Sequence, residues 1–296
     1  MSARQVAYDP SGFEITFCIS HLKYELLMKS LYNKKNVFFS SRGNIPPGTK
    51  KKVNKGFFSP VEIEGHFRLA DVVMENERLL LVIERFRISL GFGDKTINEV
   101  CRDYNLDPSL VLLVMNVFNN HLFVVGNELT VDMLPGLVEY LKRAHRYYLD
   151  EKLPFISGLI DHFIMNTENP DTRLIQSFFK EYANEVNEHM QLEDSTVFPY
   201  IQSLYECLKD QSVKRELSTY GIDDFLEHHS DIEEKLEDLM YLLIKHFPPT
   251  KDRFYRNLIL VELFGLQYDL NDHGGIEERI LAPLVRNLEL KTSKND

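Results

Sequence analysis

A histidine and a glutamate stand four residues apart at His189 and Glu193, within the stretch EHMQLEDSTVFPY. The surrounding segment has no glycine, and no proline before Pro199, so it predicts a helix with both side chains one turn apart on one face. An imidazole and a carboxylate placed in this way can bind the same metal ion. They can equally lie on an ordinary solvated face, and the pair alone leaves both interpretations open.

The same frame recurs later in the chain, at His273 and Glu277. In both places a glutamate follows the histidine by four residues and a proline follows it by ten, in HMQLEDSTVFP and in HGGIEERILAP. One such pair is common by chance, whereas two pairs in matching frames form a much more specific pattern. The repeat therefore favours one site to which two helices contribute.

Four long helical patterns must position these residues, and breakers rich in proline, glycine and polar residues separate them. The patterns cover residues 135–165, 173–208, 225–247 and 254–288. Four helices of this length with short connections predict an all-α fold, an up-down-up-down four-helix bundle at residues 130–290.

Shorter helical patterns precede the bundle at residues 66–127. Thr96 with Glu99 predicts a capping box at one helix start, and Asp107 before Pro108 predicts another start. These short helices with tight turns predict a small helical domain.

Each predicted bundle helix has a polar residue where its core-facing stripe requires an apolar one. The stripe recurs in steps of three and four residues, and the interruption falls in its middle. The interrupting residues are His145 on the first helix, His189 and Glu193 on the second, His229 on the third, and His273 and Glu277 on the fourth. Because a buried imidazole or carboxylate is costly unless it is paired or bound to metal, these six residues predict a ligand set.

Four imidazoles and two carboxylates exceed the needs of one tetrahedral ion. The three cysteines lie far apart and form no Cys-x-x-Cys pair, so we expect neither thiolate ligands nor a disulfide framework. Carboxylates that can bridge, together with imidazoles, suit a pair of first-row metals, of which iron or manganese fits best. A metal-free bundle with buried polar networks is the alternative.

The charge of the chain is unevenly distributed. Residues 1–60 carry ten Lys and Arg against three Asp and Glu, a balance of +7, which leaves −18 on the remainder of a chain with net charge −11. Residues 1–65 show no sustained periodicity and are taken as an N-terminal extension of unassigned fold. The acidic remainder argues against nucleic-acid binding. Without a long apolar run or a secretory signal pattern, we expect a cytoplasmic protein that does not span a membrane.

The predicted bundle resembles hemerythrin-like domains. The resemblance rests on the stretches RAHRYYLDEKLPFI, NEHMQLEDSTVFPYI, EHHSDIEEKL and NDHGGIEERILAPLV. Residues 66–290 as a whole resemble the repair-of-iron-centres (RIC) proteins, the di-iron proteins of nitrosative and oxidative stress. The resemblance implies a cofactor of two non-heme iron ions, with Glu193 and Glu277 as bridging carboxylates and the four histidines as terminal ligands.

The sequence departs from the family pattern in two places. The family often has one more histidine late in the first helix. The nearest residue here, His162, lies roughly 100° around the helix from His145, so it is left out of the ligand set. In the small helical domain, LGFGD at residues 90–94 replaces the family's Cys-Cys-Gly-Gly signature, and thiol chemistry is not expected in that turn. Asp194, beside Glu193, is predicted to face solvent.

The resemblance implies a protein that helps to repair damaged iron–sulfur centres, with NO or O2 as small ligands and damaged iron–sulfur proteins as partners. The alternative is a hemerythrin-like sensor that binds O2 or NO without repair activity and relays the state of its site through the small domain. An enzyme that turns over O2, peroxide or NO ranks lower, because no dedicated nucleophile or acid–base dyad stands outside the ligand set.

Overall fold

The computed structural model describes residues 62–126, 129–165, 172–210, 221–226, 232–248 and 253–292. In these ranges all secondary-structure elements are helices. A single isolated β-bridge joins Arg68 to Thr96. The predicted all-α class is confirmed. No helix in the described ranges has the length and apolar character needed to cross a membrane.

Four short helices form a small helical unit at residues 62–126. They are α1 (Leu69–Glu75), α2 (Leu79–Arg85), α3 (Ile97–Asp103) and α4 (Pro108–Asn119). The predicted capping box starts α3, since the Thr96 hydroxyl accepts a hydrogen bond from the Glu99 N–H and the Glu99 carboxylate accepts one from the Thr96 N–H. Asp107 caps α4 and Pro108 occupies its first position, also as predicted.

The four bundle helices follow, and each contains a turn of wider, π-helical geometry. The first comprises α5 (Leu134–Arg146), a π-turn (Tyr147–Lys152) and α6 (Leu153–Met165). The second comprises α7 (Thr172–Leu192), a π-turn (Glu193–Val197) and α8 (Phe198–Lys209). The third comprises α10 (Ile232–Tyr241) and a π-turn (Leu242–His246), and a short helix, α9 (Ile222–Leu226), comes before it in the sequence. The fourth comprises α11 (Arg253–Ile276), a π-turn (Glu277–Leu281) and α12 (Ala282–Thr292).

Helices that are neighbours in sequence are also neighbours in the bundle. Helix α6 packs against α7 and α11, and α10 packs against the same two helices. The four long helices therefore close a ring in which each contacts the one before it and the one after it. This is the predicted up-down-up-down four-helix bundle.

Three of the π-turns come just before a proline inside a continuous helix, namely Pro154, Pro199 and Pro283. Proline has no N–H, and its ring clashes with the carbonyl four residues earlier in a regular α-helix. The residue four positions before each proline lies within the π-turn. The wider spacing of the backbone hydrogen bonds there relieves the clash with the proline ring. Two of these turns begin at Glu193 and Glu277, so the prolines that mark the sequence repeat also shape the backbone at both carboxylates.

A continuous apolar core joins the small helical unit to the bundle. It extends from residues such as Leu79 in the small unit to residues such as Phe198 in the bundle. Helix α2 contacts α5, and α4 contacts α11. Phe58–Asp296 thus form one compact unit, and the division into separate domains at 66–127 and 130–290 stays a prediction.

Candidate metal centre

Four of the six predicted ligand residues meet inside the bundle, and none of them is more than 3% exposed. They are His145 from the first helix, Glu193 from the second, and His273 and Glu277 from the fourth. One nitrogen or oxygen atom from each lies within 4.8 Å of the others. The remaining histidine of the third helix, His229, lies outside the described residues.

The imidazole nitrogens and carboxylate oxygens of this cluster are closely spaced. Nε2 of His145 lies 3.2 Å from Nε2 of His273 and 3.0 Å from Oε2 of Glu193. Nε2 of His273 lies 3.1 Å from Oε1 of Glu277. Ligand atoms that bind one metal ion at about 2.1 Å are separated from one another by roughly 3.0–3.4 Å. The donor atoms therefore have the spacing of a coordination shell, and the residues fit a bound cation.

His189 lies at the edge of the cluster, with its side chain 17% exposed. Its Nε2 is 2.9 Å from Oε1 of Glu193, whereas the other oxygen of that carboxylate faces His145. Glu193 therefore contacts one imidazole through each of its oxygens. A carboxylate in this position has the geometry to bridge two metal ions, as in di-iron bundles.

The surroundings of His145 favour the protonated form of its imidazole. Burial lowers the pKa of His145, but hydrogen bonds with Asp194 and Glu193 outweigh burial and raise the pKa to about 9. A pKa of about 9 favours the charged form of this imidazole at neutral pH. A metal ion that binds here takes the place of this proton.

Asp194, which the sequence predicts to face solvent, is partly exposed and also contacts His145. The side chain is 40% exposed, and its Oδ1 lies 3.0 Å from Nδ1 of His145. Because a carboxylate only accepts hydrogen bonds, Nδ1 carries the hydrogen and Nε2 faces the cluster. Helical spacing missed this contact because a π-turn has more residues per turn than an α-helix, so Glu193 and Asp194 lie closer together around the helix axis.

Asp194→Asn is expected to weaken metal binding by roughly 10- to 100-fold, because it removes the carboxylate that orients a metal-binding imidazole. Asparagine keeps the shape of the side chain but forms a weaker, neutral hydrogen bond with His145. Iron affinity is measured by competition with a chelator of known affinity, and Asp238→Asn, at an exposed position of α10, is the matched control. Equal iron affinity in Asp194→Asn and the unaltered chain would show that the contact does not orient the ligand.

Buried aromatic rings surround the two clustered imidazoles. Phe198 stacks on His145 with 5.4 Å between ring centroids. Tyr148 meets His273 at right angles with 5.6 Å between centroids. Both aromatic side chains are at most 1% exposed, so they limit water access and the rotation of the imidazoles.

A buried ion pair connects the small helical unit to α11, the helix that carries His273. Arg85 donates hydrogen bonds to Oδ2 of Asp269 at 2.5 Å and to the Tyr148 hydroxyl at 3.1 Å. The Tyr148 hydroxyl in turn donates to the backbone carbonyl of Asp269 at 3.2 Å. Asp269 precedes His273 by four residues and so lies on the same helix face. This four-residue spacing from His273 is the one sequence signal that could have identified Asp269.

A second ion pair, between Arg78 and Asp272, lies beside the first. Burial raises the pKa of Asp272 to about 7, although the charge of Arg78 opposes this shift. The residue immediately before His273 is therefore also held by the small helical unit.

His162, which the sequence left out of the ligand set, does not belong to the group of four clustered residues. Its ring packs against Tyr255 in a tilted arrangement with 4.0 Å between centroids. The structure thus gives His162 a packing partner on the fourth bundle helix.

Comparisons with known proteins agree with this geometry. The hemerythrin HHE cation binding domain matches residues 136–285, which are 150 of the 296 residues and contain the clustered side chains. The chain is also 22% identical over 191 residues to the iron-sulfur cluster repair protein ScdA of Staphylococcus haemolyticus (strain JCSC1435), which covers 64% of this chain and 83% of that protein. The alignment with ScdA covers 191 residues, whereas the family match covers 150, so the similarity to ScdA extends beyond the bundle. The chain belongs to the hemerythrin HHE cation-binding family.

Proposed function

We propose that the chain binds two iron ions inside the bundle and helps to repair iron–sulfur centres damaged by nitrosative or oxidative stress. The observation that carries the proposal is the buried cluster of His145, Glu193, His273 and Glu277 within a hemerythrin bundle. The similarity to an iron–sulfur cluster repair protein supports the repair role.

The predicted ligands have two roles in this proposal. Glu193 and Glu277 would hold both irons as shared carboxylates, and His145, His189, His229 and His273 would each hold one of them. Two carboxylates buried together stabilise a pair of cations that an apolar interior would otherwise exclude. Bound iron supplies a redox-active centre that can bind NO or O2 or give up an iron ion. Asp194 orients one imidazole, and Phe198 limits the access of water.

The repair role is tested with a purified [4Fe–4S] hydratase that has been inactivated with nitric oxide. The iron-loaded chain is expected to restore its activity faster than the same amount of free ferrous iron. His246→Ala, at an exposed position of the third bundle helix, should restore activity equally well, whereas a chain without His189 and His273 should not. If the chain is fully loaded with iron but restores no hydratase activity, the repair role is excluded. The proposal of an iron centre would not be affected by that result.

The second candidate function is a sensor that binds O2 or NO and passes the state of the centre to a partner. The buried pair between Arg85 and Asp269 favours it, because the pair links the small helical unit to the helix of His273. A sensor should show altered amide hydrogen exchange in α2 when NO binds, without restoring any damaged enzyme. Unchanged exchange in α2 would argue against this role.

The cytoplasm is the proposed location, and damaged iron–sulfur proteins there are the proposed partners. Cys101 and Cys207 are buried free thiols, and free thiols persist in a reducing compartment. The net charge of −11 argues against nucleic acid as a partner.

A further inference from the structure

We propose that a cleft between α2 and the first bundle helix binds a small organic anion that carries a carboxylate or phosphate group. Four arginines line it, namely Arg85, Arg87, Arg143 and Arg146. Its volume is about 350 Å³, which leaves room for about ten water molecules and lies in the range of small-molecule pockets. None of the four clustered metal-ligand candidates lines the cleft, so this site is separate from the proposed iron centre.

Two of the arginines that line the cleft, Arg85 and Arg143, have buried guanidinium nitrogens. Arg85 is 3% exposed and uses Nη2 for Asp269 and Tyr148. Among the residues that the structure describes, Nε and Nη1 of Arg85 and Nε of Arg143 are buried without a hydrogen-bond acceptor. Buried N–H groups without an acceptor are rare and costly. An oxyanion in the cleft would lie near these buried donors and would contact the exposed side chains of Arg87 and Arg146.

Arg87 has a backbone conformation that favours glycine, with φ 57°. It follows the end of α2, where a left-handed residue closes the helix and the Ile88 N–H donates to the Ile83 carbonyl at 2.9 Å. Glycine adopts this conformation without a steric penalty, whereas a residue with a Cβ atom is strained. The other described non-glycine residue with positive φ is Asn105, a residue type that tolerates it. Arg87 therefore occupies a strained position at the edge of the cleft, and glycine there would relieve the strain.

Acidic residues at the rim define the class of ligand. Glu84, Asp150 and Glu151 also line the cleft, and all three are exposed. Arg85 is buried, and the side chain of Arg143 is 23% exposed. Exposed acids repel an extended polyanion, whereas a small anion passes between them and meets donors that water screens less.

The crowding of like charges also favours an anion. Burial and the charges of Arg87 and Arg146 lower the pKa of Arg143, while Glu139 partly opposes this. Arg143 also donates a hydrogen bond to the backbone carbonyl of Arg85 at 2.8 Å, which ties its guanidinium group to the end of α2. A bound anion would relieve the repulsion between the arginines.

Binding is tested by isothermal titration calorimetry on the full-length, iron-loaded chain with two probes, inorganic phosphate and succinate. Saturable binding with a Kd below about 1 mM is expected for at least one probe. Phosphate binding alone identifies a phosphate ligand, and succinate binding alone identifies a carboxylate ligand. The proposal is overturned if neither probe binds.

Two variants locate the site. Arg87→Gly removes the side chain and relieves the backbone strain at this position, so the fold should be retained. The affinity for the probe should fall about tenfold or more in Arg87→Gly, and also in Arg143→Gln. Arg102→Gln, at an exposed position in the last turn of α3, is the control and should bind as the unaltered chain does. Iron content is measured throughout, because lost anion binding at unchanged iron content separates this cleft from the metal centre. Unchanged affinity in both Arg87→Gly and Arg143→Gln would overturn the assignment.

Discussion

Replacement of His189 and His273 by alanine in the same chain is expected to remove nearly all bound iron. Nε2 of His189 lies 2.9 Å from Glu193, and Nε2 of His273 lies 3.1 Å from Glu277. Each change therefore removes a nitrogen donor beside a proposed bridging carboxylate. We expect each to weaken iron binding by roughly 100-fold or more, since the loss of an outer partner alone weakens it 10- to 100-fold.

Metal analysis of protein prepared without oxygen, together with its optical spectrum, provides the measurement. His246→Ala is the matched control, because His246 is exposed on the third bundle helix, and this variant should retain about two irons per chain. Circular dichroism confirms that the double variant is still helical. Full iron occupancy in a folded double variant would contradict the proposed ligand set.

Arg85→Met is expected to lower the free energy of unfolding by about 3–5 kcal/mol, the range for a buried ion pair that loses one partner. The side chains of Arg85 and Asp269 are only 3% and 4% exposed. Methionine fills much of the same space but leaves the Asp269 carboxylate in an apolar environment without its cation. Urea unfolding followed by circular dichroism measures the change.

The double variant Arg85→Met/Asp269→Leu separates the effect of charge from that of packing. Replacing both members of a buried pair by apolar residues of similar volume is often nearly neutral, so most of the lost stability should return. Lys95→Met is the control, because it breaks an exposed pair with Asp103 and should change stability little. If the double variant is no more stable than Arg85→Met, the loss arises from packing.

The helices and the buried cluster could be predicted because both depend on the period of the α-helix. His145, Glu193, His273 and Glu277 interrupt apolar stripes, and a residue on such a stripe must face the bundle interior. The matching His-x-x-x-Glu frames indicated that two helices serve one site. Ligand roles and the number of irons stay predictions, and His189 lies at the edge of the observed cluster.

The residues behind the cluster could not be predicted from periodicity. Asp194 is turned toward His145 by a π-turn, and a pattern based on regular helical steps does not contain that turn. Arg85 and Asp269 are 184 residues apart in sequence. Their contact depends on how the small helical unit packs against α11, and the spacing of apolar residues within each helix carries no information on that packing.

The wide turns at Glu193 and Glu277 also determine the register of the helices beyond them, since each is equivalent to one inserted residue. Ile201 follows His189 by twelve residues, and Val285 follows His273 by twelve. On an uninterrupted α-helix such residues would lie about 120° apart, and one additional residue reduces this to about 20°. Ile201 and Val285 are buried accordingly. Deletion of a single residue in either turn would therefore convert it to a regular α-helix, which keeps the following helix in register with the core but removes the wide turn at the carboxylate.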